Sequence, residues 1–374
     1  MKCYGKATLS DFLGDWIVFR NLNAQDENLP RLEEMRKTLG LADGILPRKT
    51  SMDYARVIAH LLKEAKKTRG EKGQINQIVY LGDTRMNDGT AFRNICAAGG
   101  WQGVAFITSE TSELTRLEVE KNEDSILIYN NHWVNLRTFR TLAEIKGIEI
   151  NAGMAVLIDV DKTALGARGR NDAVIDQVRL SAAQVILKEL LGELYEEDGF
   201  KRAYMTLNQP AFHLFTADNQ DYLVYICMVL ATGMFTLKQI RSELQKNDPP
   251  NFMWFIEQVE QQKKNLPGVV RVVHEDIYHL VKQRDPTPFK QFRFAEYQET
   301  RSHMGNSLDG ASLKKMLKQE IVITREVQEF ALECHKVGAL VFGLSDKPDE
   351  ASIPQNGSAN LPALHQMQTH VVGG

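Results

Sequence analysis

Cysteine is nearly absent. Four residues in 374, Cys3, Cys96, Cys227 and Cys334, lie far apart with no CxxC pair. That spacing supports neither a disulfide framework nor a cysteine zinc site, and reduced thiols in a cytoplasmic protein are the simplest account. Positive charge is not in excess. Lys and Arg number 45 against 48 Asp and Glu, a formal net charge of −3 with both signs mixed along the chain. A nucleic-acid binder usually needs a basic surface, so no nucleic-acid partner is expected. Long apolar runs are missing too. The longest, residues 222–235, is too short to span a bilayer comfortably and reads as a buried helix. The opening MKCYGKATLSDF holds no apolar core of a secretory signal. A cytoplasmic protein with no membrane partner is expected. No GxxxxGK[ST] occurs, and no GxGxxG follows a strand, so neither a P-loop nor a dinucleotide-binding fold is supported.

What is present centres on residues 154–163, MAVLIDVDKT. Five apolar residues run into Asp159, with Asp161 and Thr163 following at intervals of two. A short apolar run bounded by turn signals reads as a buried parallel strand. In open α/β sheets ligands bind at the carboxyl ends of the strands. Asp159 and Asp161 share a side only if the extended geometry persists beyond the apolar run. The plainer reading of this stretch alone is a strand followed by an Asp-rich turn.

Other segments repeat the pattern. Residues 16–19 form a short strand candidate, and PRLEEMRKTLGL reads as a helix ended by Gly40. Ser51 is a candidate N-cap for a helix over 52–67, which sets Lys49 just before a helix N-terminus. Residues 68–74 read as a polar loop. A strand at 78–81 runs into Gly82, Asp83 and, five residues on, Asp88. A helix at 90–98 and a strand at 104–107 complete a βαβ unit, which implies a parallel sheet. Residues 109–123 read as a surface connection, 125–129 as an edge strand and 133–145 as a helix. Arg168 and Arg170 sit among glycines in what reads as a mobile cationic flap. Helical patterns then dominate from Asp172 to about 318. A helix at 324–336 returns to a strand at 339–344, which ends in Ser345-Asp346-Lys347-Pro348.

Parallel strands bring their carboxyl ends to one edge, so up to four carboxylates, a hydroxyl and a lysine can gather there. Carboxylates at that density must bind a cation or share protons. All-oxygen ligands without His or Cys favour Mg²⁺, and a lysine and a hydroxyl beside it suit a phosphoryl group. Here the chain resembles the haloacid dehalogenase superfamily, mostly Mg²⁺-dependent phosphohydrolases. VLIDVDKT resembles that family's first motif, FGLSDKP its second, LPRKTSMDYA its third and LGDTRMND its fourth. The alanine-glycine that follows the family's fourth motif has a counterpart in Ala98-Gly99. The family's order is first to fourth, whereas this chain runs third, fourth, first, second: a circular permutation.

The resemblance implies a three-layer, Rossmann-like parallel sheet core with a large, mainly α-helical cap. Residues 1–171 and 321–350 would form the core, 172–320 the cap and 351–374 a loosely ordered tail. It also implies roles. Asp159 would be the nucleophile, and Asp161 would protonate the leaving oxygen and then activate water. Ser345 and Lys49 would hold the phosphoryl oxygens. Asp83, Asp88, Asp159 and the backbone carbonyl of Asp161 would bind Mg²⁺. Thr163 reads as structural, and lone histidines such as His213 and His274 as structural or exposed. Arg168 and Arg170 are candidates for binding an anionic substrate, though flap arginines are often surface ion pairs. The expected partner is a phosphorylated small molecule. Mutase or dehalogenase chemistry and a catalytically inactive binding protein remain alternatives, and oligomeric state is open.

Overall fold

The structure is a computed structural model that describes residues 1–70, 74–145, 147–246, 249–308, 310–355 and 361–374. Residues 71–73 of the polar loop and 356–360 of the expected tail lie outside the described residues. The apolar runs at 78–81, 104–107, 154–158 and 340–344 all become buried strands. In chain order the strands are β1 (Lys2–Ala7), β2 (Ile17–Val18), β3 (Gln77–Gly82), β4 (Gln102–Thr108), β5 (Leu117–Lys121), β6 (Ser125–Asn130), β7 (Met154–Asp159), β8 (Ile323–Thr324), β9 (Leu340–Leu344) and β10 (Thr369–Gly373). Seven of them form one sheet in the order β2-β9-β7-β3-β4-β6-β5. Every pair is parallel except β5 with β6. The protein is therefore α/β with a mostly parallel seven-stranded sheet.

Both faces of this sheet are covered, which is why its strands read as continuous apolar runs rather than as alternating ones. Side chains alternate faces along a strand. Ile78, Tyr80, Ala105, Ile107, Ala155, Leu157, Leu340 and Phe342 share one core with residues of the Leu32–Leu39, Met52–Thr68 and Asn87–Gly99 helices. On the other face Phe106 meets Phe139 edge-on, and Phe139 meets Phe330, which brings in the Leu136–Ile145 and Arg325–Lys336 helices. Each Leu, Ile or Phe among them, fully buried, stabilises the fold by about 1.5–3 kcal/mol.

The strand order has one reversal that matters. From β3 the chain steps outward through β4 to β6, then returns to lay β7 on the other side of β3 before continuing to β9. The crevice between the carboxyl ends of β3 and β7 is the topological switch point, where open α/β sheets leave room for a ligand.

Three expectations need correction. Residues 117–121, within the expected surface connection, form β5, so β5 and not β6 is the edge strand. Exposure alternates along it: Leu117, Val119 and Lys121 lie outward, and the less exposed Glu118 and Glu120 pair with Arg85. The described residues 361–374 are not a loose tail. β10 is buried and central in a second, three-stranded sheet, antiparallel to β1 and parallel to β8. Its partners lie at the far N-terminus and near residue 323, pairings that no local pattern reveals. Compact units also divide differently from the expected domains. One comprises Met1–Gln177 with Thr300–Gly374, the other Val178–Glu299, so residues 300–320 belong with the sheet.

The described residues of the second unit form helices, among them Glu197–Leu207, Gln220–Ala231, Phe252–Gln261 and Gly268–Lys282. Within the apolar run at 222–235, Leu223 to Val229 are all buried, on the Gln220–Ala231 helix. His274 is structural, held between the Tyr225 hydroxyl at 2.7 Å and Glu260 at 2.9 Å. Burial lowers its pKa, against the pull of Glu260. His213 is partly exposed, 3.5 Å from Asp218.

Candidate functional site

Three neighbouring strands, β9, β7 and β3, end at the same edge. Asp159, the last residue of β7, is in register with Leu344 of β9, and Ile158 with Leu81 of β3. Asp159 therefore ends between Asp83 on one side and Ser345 on the other. Extension stops at Asp159. The Val160 N–H still bonds to Leu344 O at 2.9 Å, but Ala164 and Leu165 turn back to Asp159 O and Val160 O. Lys162 adopts φ +65°, a left-handed conformation that non-glycine residues seldom take and that concentrates at functional turns. Asp161 consequently lies in a turn and not along the strand axis. It is half-buried and lines a crevice with Ser345, Lys347 and Val160.

Gly82 decides how Asp88 arrives. A Cβ on Gly82 would lie 2.7 Å from Asp88 Cβ and Cγ, so only glycine lets this carboxylate tuck against the end of β3. Asp88 Oδ2 then accepts from the backbone N–H groups of Asp83 (3.1 Å) and Thr84 (2.8 Å) and from the Thr84 hydroxyl (2.7 Å). Its Oδ1 accepts from the Tyr80 hydroxyl at 3.0 Å. Lys49 comes from the turn before the Met52–Thr68 helix, whose N-cap is the Ser51 side chain. The Lys49 ammonium lies 2.6 Å from Asp88 Oδ1 and 2.5 Å from Asp159 Oδ1.

Lys49, Asp83, Asp88 and Asp159 are thus brought together and are all buried. Oxygens of the three carboxylates lie within 4.8 Å of one another. Electrostatics follow from that crowding. Burial, together with the charges of Asp88 and Asp83, pushes Asp159 well above the usual carboxylate range despite Lys49. Burial and the Asp88 charge push Asp83 up to about 7. Asp88 goes the other way: burial opposes its ionisation, but Lys49 and the hydrogen bonds on its oxygens hold it well below the usual range. Burial works against the Lys49 ammonium as well, and Asp159 and Asp88 more than offset it. Three acids against so few cations make a site that prefers a proton or a further cation. Its donors are all hard oxygens, the set that suits Mg²⁺.

The two arginines separate. The Arg168 Nε–H donates to Asp83 Oδ2, which puts Arg168 at the rim of the cluster. Arg170 corrects the expectation of an anion-binding flap. Its guanidinium is buried, donates to both oxygens of Glu326 at 2.9 and 3.0 Å and reaches Glu110 at 2.8 Å. It is a strut of the fold. The segment around it is tied down as well, through Gly166 N to Val322 O and Arg168 N to Lys162 O. Thr163 is fully buried and its carbonyl accepts from the Thr324 hydroxyl at 2.5 Å, a structural position. Ser345 is buried, and its Oγ accepts from the Lys347 N–H at 3.1 Å.

Sequence reasoning passed over Tyr80, Thr84 and Lys347. A signal existed for the first: a tyrosine inside an aliphatic strand needs a partner for its hydroxyl. Thr84 and Lys347 lie within the LGDTRMND and FGLSDKP segments themselves. No family model, curated protein or solved structure matches this chain.

Proposed function

We propose that the protein is a Mg²⁺-dependent phosphohydrolase that works through an aspartyl-phosphate on Asp159. The observation that carries this reading is the union, at a strand-order switch point, of three carboxylates within 4.8 Å and a lysine bridging two of them. Asp83, Asp88 and Asp159, with the backbone carbonyl of Asp161, would hold the metal. When bound, the metal supplies positive charge that offsets the phosphoryl group and screens the acids from one another.

The chain's own residues supply the rest. An oxygen of Asp159 attacks phosphorus as the bond to the leaving oxygen breaks. Asp161, half-buried in the turn beside it, gives that oxygen a proton. Asp161 then takes a proton from the water that attacks phosphorus, the Asp159–phosphorus bond breaks and phosphate leaves. Lys49 and Ser345 hold phosphoryl oxygens, Lys49 also neutralising charge. Tyr80 and Thr84 fix Asp88 through their hydroxyls. The helical unit Val178–Glu299 is the cap in this reading and the part that selects the phosphorylated small molecule.

The test is hydrolysis of a generic aryl phosphate by the purified protein. Turnover is expected with Mg²⁺, is expected to stop with EDTA, and is expected to vanish in Asp159→Asn. Metal-independent turnover or an active Asp159→Asn variant overturns the reading.

A further inference from the structure

We propose that Arg168 is a displaceable counter-ion, its guanidinium neutralising Asp83 until a divalent cation takes its place. The proposal rests on the metal-dependent reading above and adds a residue that sets metal affinity.

Three observations converge. First, among the described residues the side chain of Arg168 pairs with one carboxylate, Asp83 Oδ2, and it is a third exposed, whereas Asp83 is almost wholly buried. Lys49 differs, being buried and bridging two carboxylates. Arg170 differs too, locked between Glu110 and Glu326. Second, the backbone of Arg168 is anchored independently of its guanidinium. Its N–H bonds to Lys162 O at 2.8 Å, and its carbonyl accepts from Glu110 N at 2.9 Å and Trp133 Nε1 at 3.1 Å. Next to it Gly169, at φ +77°, lies so close to Glu110 that a Cβ would sit 2.0 Å from that carbonyl oxygen. The side chain can swing out while the loop stays. Third, there is somewhere for it to go, because the charge of Asp172 also stabilises it.

The chemistry is a competition. A divalent cation among Asp83, Asp88 and Asp159 needs an oxygen of Asp83 and raises the local positive charge. A guanidinium on the same buried carboxylate is then repelled at short range, where screening by water is weak. Arg168 therefore lowers the affinity for the metal, and it keeps the cluster neutral enough to fold without one.

Isothermal titration of the full chain with Mg²⁺ alone tests this. Arg168→Gln is expected to tighten binding by roughly tenfold, within the usual range of coupling between sites. Lys162→Asn is the control. It removes the same charge from the same loop, Lys162 pairing with Asp176 at 2.8 Å, and asparagine tolerates the left-handed backbone there. It is expected to shift the affinity by less than about twofold, as for an exposed pair. Unchanged or weaker binding in Arg168→Gln overturns the proposal, as does equal tightening in both variants. If neither the wild type nor any variant binds Mg²⁺, the metal-dependent reading itself fails. Should Arg168→Gln not fold by circular dichroism, Arg168→Met, which keeps an apolar stem without the charge, is read the same way: tighter binding supports the exchange and unchanged binding overturns it.

Discussion

Gly82 shows how much one missing methyl group can organise. Its strand position would ordinarily favour a β-branched residue, yet a Cβ there would occupy the space of Asp88. Gly82→Ala is expected to push Asp88 off Lys49 and Tyr80. The cost should be about 1–3 kcal/mol by urea unfolding, the usual range for overpacking, with loss of any metal-dependent turnover. Glu326 makes a second case. Replacing it by glutamine leaves the Arg170 guanidinium buried and short of its counter-charge, which should cost about 3–5 kcal/mol. The pH sign is fixed. Burial opposes ionisation of Glu326, but hydrogen bonds and charge from Arg170 prevail and depress its pKa. The unfolded chain therefore takes up this proton first. The stabilisation is complete above the ordinary glutamate pKa and is lost as pH falls through the depressed one. Denaturant midpoints measured from pH 7 down to pH 3 should show this loss in the wild type and a flatter profile in Glu326→Gln. Arg170 was legible as a cation but not as a strut, because Glu110 and Glu326 are distant in sequence.

At the scale of elements, apolar runs bounded by glycine and acids located four sheet strands, and Ser51 and Gly40 marked a helix start and a helix end as read. Where the fold departs from that reading, the deciding contacts are non-local. β5 alternates charged and apolar residues too weakly to stand out, and becomes a strand only because β6 offers it an antiparallel edge. β10 has only a short stretch of strand-forming residues, His370-Val371-Val372, and owes its burial to β1 and β8. Removal of residues 368–374 takes away the middle strand of the small sheet. It also takes away the Thr369 and His370 contacts to the buried Glu320. A cooperative but lower thermal midpoint, and amide exchange that is faster in residues 2–7 and 323–324 than in β3 or β7, are the expected outcomes.

For the whole molecule, the proposed circular permutation of the four motif-like segments can be tested by rearranging the chain. Lys2 pairs with Gly373 across the β1–β10 ladder, so the ends of the described chain lie side by side. Joining them through a short Gly-rich turn and reopening the chain between Asn151 and Ala152, both exposed, restores the order first to fourth. Chains generally tolerate such rearrangement when the cut falls at the surface and the ends are adjacent. The rearranged protein is expected to keep its far-ultraviolet circular dichroism and a single unfolding transition. Loss of folded structure would show that the order of the motifs is itself needed for folding.

Local chemistry in the sequence determined the strand runs, the helix caps and the residues able to bear charge at strand ends, because periodicity, turn propensity and side-chain type are properties of near neighbours. Tertiary structure alone decided which of those charges meet. It set β7 against β3, brought Lys49 across from another element to bridge Asp88 and Asp159, gave Arg168 to Asp83 and took Arg170 away into the fold. Those outcomes depend on contacts between residues up to 156 positions apart, and a carboxylate's burial and partners follow from such contacts and not from the residues beside it.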